Sequence, residues 1–347
     1  MIRPLTRQEM RDVIDGKGEA YRIPCGLQFW TRYESWGDRQ EAVKQIMREY
    51  PCDVQIVRLC PPYHYDHPDD PNYRLASFLE NDEKAIDNRV HLPDWSRLDE
   101  MLDSFPSPQS PTVFRWYYPS NPPEVQIPPE PDGRYRLAHF WNSYFEKLWQ
   151  MRGMTNALMD LYDYPDEIHK FFAKLTEFYI GFIDRAAEKQ CDGLLTSDDL
   201  GTQTSLFMSP ALFKELLAPY YKQLIDRCHS HGMHFWFHIC GCVTPILEQL
   251  IDLGIDVIHP FQKFANDQIA LADKYAGKFT PWIGFDVQHT IPFGTPQEIH
   301  DEARRLIDTW RRPEGKLIFA AGNGINGDCS LEQLRALYEA VFEGVTE

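Results

Sequence analysis

The segment HFWFHICGC places an imidazole and a thiol two residues apart, His238 and Cys240, on what reads as an extended run. Side chains alternate along a strand, so Phe235, Phe237 and Ile239 share one face while Trp236, His238 and Cys240 share the other. An imidazole nitrogen and a thiolate sulfur so spaced reach one Zn²⁺ at bond lengths of roughly 2.0 and 2.3 Å, and a site requires at least one more ligand. The same two residues also read as a buried histidine bonded to its neighbours beside a small hydrophobic cysteine. Further polar groups stand where other extended runs end. LLTSDDLGTQ carries Asp198 and Asp199, with one carboxylate expected to line a pocket and the other to cap a turn. GFDVQH carries Asp286 and Gln288, and Asp286 suits metal ligation, acid–base work or the orienting of another side chain. FAAGNGING carries Asn323 in a glycine-rich turn, while Gln262 and Trp30 complete a mouth with an aromatic wall.

Eight short β-type runs must position these groups: Ile23 to Trp30, Val54 to Leu59, Thr112 to Tyr117, Gly193 to Ser197, His234 to Cys240, Asp256 to Pro260, Thr280 to Phe285 and Lys316 to Ala321. Helical stretches separate the later ones, with Gly232 and Gly254 as helix stops. Eight βα repeats favour a (β/α)8 TIM barrel, an α/β fold, with an open doubly wound sheet as the alternative. In a barrel the groups above all sit at the C-terminal rim, where barrel enzymes place their chemistry. Residues Pro61 to Phe105 and Tyr118 to Leu137 are rich in Pro, Asp and Tyr and read as irregular insertions in a single domain spanning 1–347. From Ala138 to Gln190 the pattern is mostly helical, and LEQLRALYEAVFEG reads as the last barrel helix.

Composition narrows the class. Across 347 residues, 35 Lys and Arg stand against 52 Asp and Glu, a net charge of −17 that repels a phosphate backbone, so nucleic acid is not expected as a partner. No apolar run approaches the roughly 20 residues that cross a bilayer, and the charged N-terminus does not resemble a signal peptide. A cytoplasmic protein with reduced cysteines is expected, and the aromatic insertions make a homodimer plausible. His229, His231 and His234 surround a helix-to-strand turn away from the catalytic rim and read as surface or capping groups. His64 and His67 lack helical spacing. There is no GxSxG elbow, HExxH helix or GxGxxG after a strand, against the common serine hydrolase, zincin and nicotinamide readings.

Four segments together resemble the uroporphyrinogen decarboxylase superfamily, which includes zinc-dependent, corrinoid-linked methyltransferases. They are DGLLTSDDLGTQTSLFMSPALFKELLAPYYKQLID, HSHGMHFWFHICGCVTPILEQLIDLGIDVIHPFQ, GFDVQHTIPFGTPQEIHDEARRLID and AAGNGINGDCSLEQLRALYEAV. The resemblance implies a (β/α)8 barrel. Decarboxylases of the family commonly carry RQAGRY near the N-terminus to grip substrate carboxylates. The corresponding region here reads GLQFWTRYESWG, with Arg32 and Tyr33 alone in common. The methyltransferase branch is closer at HIC, where His238 and Cys240 match its zinc ligands. In that branch the last strand supplies another Cys in a GCG turn; here the turn is GNG, with Asn323 at the matching position and Cys329 six residues later. Asn is a poor Zn²⁺ ligand beside thiolate, so Cys242, Asp286, Asp198 or water is expected to complete the shell.

The resemblance therefore implies methyl transfer between a small methylated substrate and a thiol or a corrinoid carried on a partner protein. In that scheme Asp286 or Asp198 orients the metal shell or exchanges a proton, and Asn323 hydrogen-bonds the substrate. Two alternatives stand beside it: a metal-free decarboxylase of a small carboxylated substrate, and a noncatalytic small-molecule or corrinoid-binding homologue.

Overall fold

The computed structural model describes residues 2–58, 90, 92–103, 105 and 130–345. Among the described residues seven strands lie side by side in chain order, all parallel: β1 (Val54–Arg58), β2 (Tyr135–His139), β3 (Gly193–Ser197), β4 (His234–His238), β5 (Val257–His259), β6 (Thr280–Phe285) and β7 (Ile318–Ala321). Helices connect them, among them Pro165–Glu188 before β3, Ala218–Ser230 before β4, Leu247–Leu253 before β5 and Pro296–Trp310 before β7. The result is a curled parallel sheet wrapped by helices, a TIM-barrel-like α/β fold. Local chemistry agrees with the element boundaries. Pro165 opens its helix at a position where no backbone N–H is needed. Gly254 ends another in the left-handed conformation, and Thr295 with Glu298 forms a capping box. Among the described residues no helix is long and apolar enough to cross a membrane.

The alternation expected along β4 is observed. Trp236 points into the barrel, edge-on to Trp282 at 5.2 Å, while Phe237 packs outward against Tyr221 of the Ala218–Ser230 helix at 4.9 Å. Indoles fill the interior: Trp30 lies 5.6 Å from Trp282, and both contact His259. The strand ends just after His238, so Cys240 sits in the following loop rather than within the strand.

One expected run is not a strand, and one strand falls where none was expected. Ile23 to Trp30 is not a strand; only Cys25 pairs, in parallel with Phe319, and Leu27–Trp30 then forms a single helical turn. The reason lies in Asp53, just before β1, whose buried carboxylate takes the Cys25 N–H at 2.8 Å, the hydrogen a ladder would use. The Pro24–Gly26 segment thus occupies the gap between β7 and β1, bonded to Phe319 on one side and to Asp53 on the other. Tyr135–His139 forms β2, although the sequence reading assigned residues through Leu137 to an insertion. Arg136 obscured that strand; it is buried on the outer face, with its guanidinium on the Lys189 carbonyl and Gln55 and its N–H on Asp192. Thr112 to Tyr117, most of both proposed insertions, and His64 and His67 lie outside the described residues.

Asp53 also forms a fully buried bidentate pair with Arg22, at 2.5 and 2.7 Å, and accepts the Leu5 N–H at 2.7 Å. Removing one partner of such a pair leaves a buried charge alone, at a cost of about 3–5 kcal/mol. Asp53→Ala is therefore expected to lose about that much stability in urea unfolding, with a loss under about 1 kcal/mol contradicting its role in joining the sheet edges.

Candidate metal centre

Parallel register sets the site. Ser197 of β3, His238 of β4 and His259 of β5 are consecutive partners, so the two imidazoles stand side by side at the C-terminal rim. Nδ1 of His238 lies 2.8 Å from Nδ1 of His259, and Nε2 of His259 lies 2.7 Å from the Ala321 carbonyl at the end of β7. Trp30 stacks on His259 at 4.4 Å and 9° and on His238 at 5.2 Å, while Trp141 meets His238 edge-on at 5.6 Å.

Cys240 reaches this pair because two loops touch through glycines. Gly241 has φ +86°, and a Cβ there would collide with the Gly201 carbonyl; a Cβ on Gly201 would press on the Cys242 backbone. The contact brings the loop after β3 against the loop after β4, and Asp199 Oδ1 accepts the Cys240 N–H at 2.9 Å. Gln262 accepts the Gly241 N–H at 2.7 Å, and Asn266 holds Val243 and Gly241 from the other side. Three donor atoms then converge. Cys240 Sγ is 3.2 Å from His238 Nε2, Asp199 Oδ1 is 3.9 Å from the same nitrogen, and all three lie within 4.8 Å of one another.

The electrostatics of this cluster suit a cation. Burial lowers the pKa of His238, keeping it neutral, and burial together with the Asp199 charge pushes the Cys240 thiol well up. The cluster thus offers sulfur, nitrogen and oxygen lone pairs, with the thiol hydrogen alone to bridge them. Mixed S, N and O donors at this separation fit Zn²⁺, and a cation there would offset the burial that keeps the thiol protonated.

The remaining expected residues are distributed as follows. Asn323 lies at the exposed lip with Nδ2 3.9 Å from Cys240 Sγ, its Oδ1 taken by the Gly324 N–H. Asp198 is fully buried and points away from the cluster, accepting the N–H groups of Tyr144, Phe145 and Glu146 and the Tyr221 hydroxyl. It caps the Phe145–Arg152 helix, and burial raises it to about 6 against those donors. Asp286 accepts the N–H groups of Gln288 and Thr290 at 2.9 Å each and caps the Thr290–Phe293 turn, and Gln288 is exposed. Neither Asp198, Asp286 nor Cys242 joins the three-donor group; the third member is Asp199, the other of the two adjacent carboxylates of which one was expected to line a pocket. His229, His231 and His234 each meet a separate carboxylate, of Asp256, Asp184 and Asp15.

Two groups escaped the sequence reading. His259 carried a usable signal, an inward position at the end of an expected strand. Glu146 carried none, since its importance arises from tertiary placement. Its Oε2 accepts from Ser197 Oγ at 2.8 Å, and burial, with the charges of Asp199 and Asp198, raises it to about 8.

That shift has a stability consequence. From its ordinary 4.5 to about 8 the folded chain keeps a proton that the unfolded chain gives up, so stability is greatest below 4.5 and declines as pH rises through 8. Glu146→Gln, isosteric with the protonated acid, is expected to flatten this decline when urea midpoints are compared at pH 5 and 8; an equal decline in both proteins contradicts it.

Comparison with known proteins places the chain in a family. Residues 132–344 match the family model described as Uroporphyrinogen decarboxylase (URO-D). A uroporphyrinogen decarboxylase of Chloroherpeton thalassium is 24% identical over 195 residues, covering 53% of this chain and 50% of that protein, so the chain matches about half the length of this curated relative. Among solved structures, a methyltransferase from Methanosarcina mazei superposes over 99% of this chain and all of its own with a TM-score of 0.59 at 14% identity, a likeness of fold. With the family model spanning more than half of its length, the chain belongs to the uroporphyrinogen decarboxylase family.

Proposed function

We propose that this protein is a zinc-dependent methyltransferase, moving a methyl group between a small methylated substrate and a thiol or a corrinoid carried on a partner protein. The observation that carries this reading is the convergence of Asp199 Oδ1, His238 Nε2 and Cys240 Sγ at the barrel rim. Bound by these three atoms, Zn²⁺ would supply Lewis acidity to a substrate oxygen or sulfur. The fold likeness to a methyltransferase favours this branch of the family.

The chain's own residues then divide the work. Asp199 both donates its oxygen and, through the Cys240 N–H, fixes the thiol's position. Asn323 offers its amide N–H groups beside the sulfur, where they can hold a substrate acceptor. Glu146, protonated by burial next to Asp199, holds a proton that it can give to the departing group. Asp198 positions Glu146 by capping the helix on which it sits, and Asp286 orders the loop after β6. Gln262 sets the Cys240–Gly241 turn, and Trp30 forms the apolar floor that excludes water beneath the imidazoles.

Protein purified without chelator is expected to hold about one Zn²⁺ per chain, lost in His238→Ala and Cys240→Ala and weakened in Asp199→Ala. No zinc at saturating metal contradicts the proposal. With methylated donors, turnover is expected as a change in corrinoid absorbance; release of carbon dioxide from a carboxylated substrate would identify decarboxylation instead.

A further inference from the structure

We propose that His259 is a positioning residue that determines which nitrogen of His238 carries the hydrogen, leaving bare the one that faces Cys240 and Asp199. The inference follows from which atoms can donate. A backbone carbonyl only accepts, so His259 Nε2, 2.7 Å from the Ala321 oxygen, carries a hydrogen in every protonation state. One hydrogen then lies between the two Nδ1 atoms at 2.8 Å, and it belongs either to His238 or to a cationic His259. His259 is fully buried among Trp30, Trp282 and His238, and among the described residues no carboxylate is bonded to it, so the cation is disfavoured.

With His259 neutral, its Nδ1 is a bare acceptor and His238 carries its hydrogen on Nδ1. The neutral His238 ring therefore presents a bare Nε2, the nitrogen 3.2 Å from Cys240 Sγ and 3.9 Å from Asp199 Oδ1. The order of bonds runs from β7 through β5 to β4, so the last strand sets the tautomer of a ring three strands away. Trp30, stacked across both imidazoles, holds their relative orientation. Without His259 the His238 ring is free to place its hydrogen on Nε2, where it would hydrogen-bond to Cys240 or Asp199 and block lone-pair donation.

The tautomers stand independently of metal, whereas the consequence for affinity rests on the zinc reading above. Two-bond proton–nitrogen correlation spectra of the chelator-treated protein with ¹⁵N-labelled histidine test the first directly. The expected pattern is Nδ1–H for His238 and Nε2–H for His259; Nε2–H on His238, or Nδ1–H on His259, overturns the proposal. Zn²⁺ competition against a chelator tests the second. His259→Leu is expected to weaken Zn²⁺ binding roughly 10–100-fold and to shift His238 toward Nε2–H. His259→Asn, which keeps an acceptor near the Nδ1 position, is expected to restore most of both. Unchanged affinity in His259→Leu, or equal losses in the two variants, overturns it. If the leucine variant does not fold, the wild-type spectrum and the asparagine variant still decide. Expected tautomers in a wild-type protein that binds no Zn²⁺ would remove the zinc reading and leave the role of His259 intact.

Discussion

The contact between Gly201 and Gly241 is the constraint on which the site depends. Two loops leaving adjacent strands approach backbone to backbone, which no residue with a Cβ permits at either position without displacing main chain. That approach puts Asp199 of one loop within hydrogen-bond reach of the Cys240 N–H of the other. Strand register supplies His238, and the two loops supply sulfur and oxygen. A barrel can host many reactions at its rim because such groups come from different strands, and here two loops and one strand end suffice to gather three donor atoms.

Below the donors lies an unusually aromatic floor. Trp236, Trp282 and Trp30 fill the interior that aliphatic side chains commonly fill in barrels, and the imidazoles rest directly on Trp30. The surroundings of low polarity have one consistent effect on nearby groups: the histidines are kept neutral, and the Cys240 thiol and Glu146 are kept protonated. Neutral imidazole is the form that ligates metal, and a proton retained on a carboxyl is available for transfer. Packing and chemistry are therefore two aspects of the same residues.

The sequence revealed the barrel class and the rim because β3, β4, β6 and β7 are apolar runs ending in polar loops. It hid β2 because a buried arginine interrupts the apolar pattern there, with its charge satisfied by partners distant in sequence. It suggested a first strand at Ile23 to Trp30 because a short apolar run does not say where its N–H groups go; the Asp53 carboxylate takes one of them. At the site, side-chain alternation correctly placed His238 inward. Adjacent carboxylates at 198 and 199 could not be told apart from sequence, since the capping of the Phe145–Arg152 helix by Asp198 is a contact across more than fifty residues. Glu146 and the imidazole relay arise in the same way, from register and burial that no local pattern encodes.

Whether one atom each of Asp199, His238 and Cys240 forms a single metal shell is decided by X-ray absorption at the zinc edge on protein purified without chelator. One sulfur neighbour is expected at roughly 2.3 Å, with the remaining neighbours nitrogen or oxygen at roughly 2.0–2.2 Å. A spectrum with no sulfur neighbour, or with two, would contradict it.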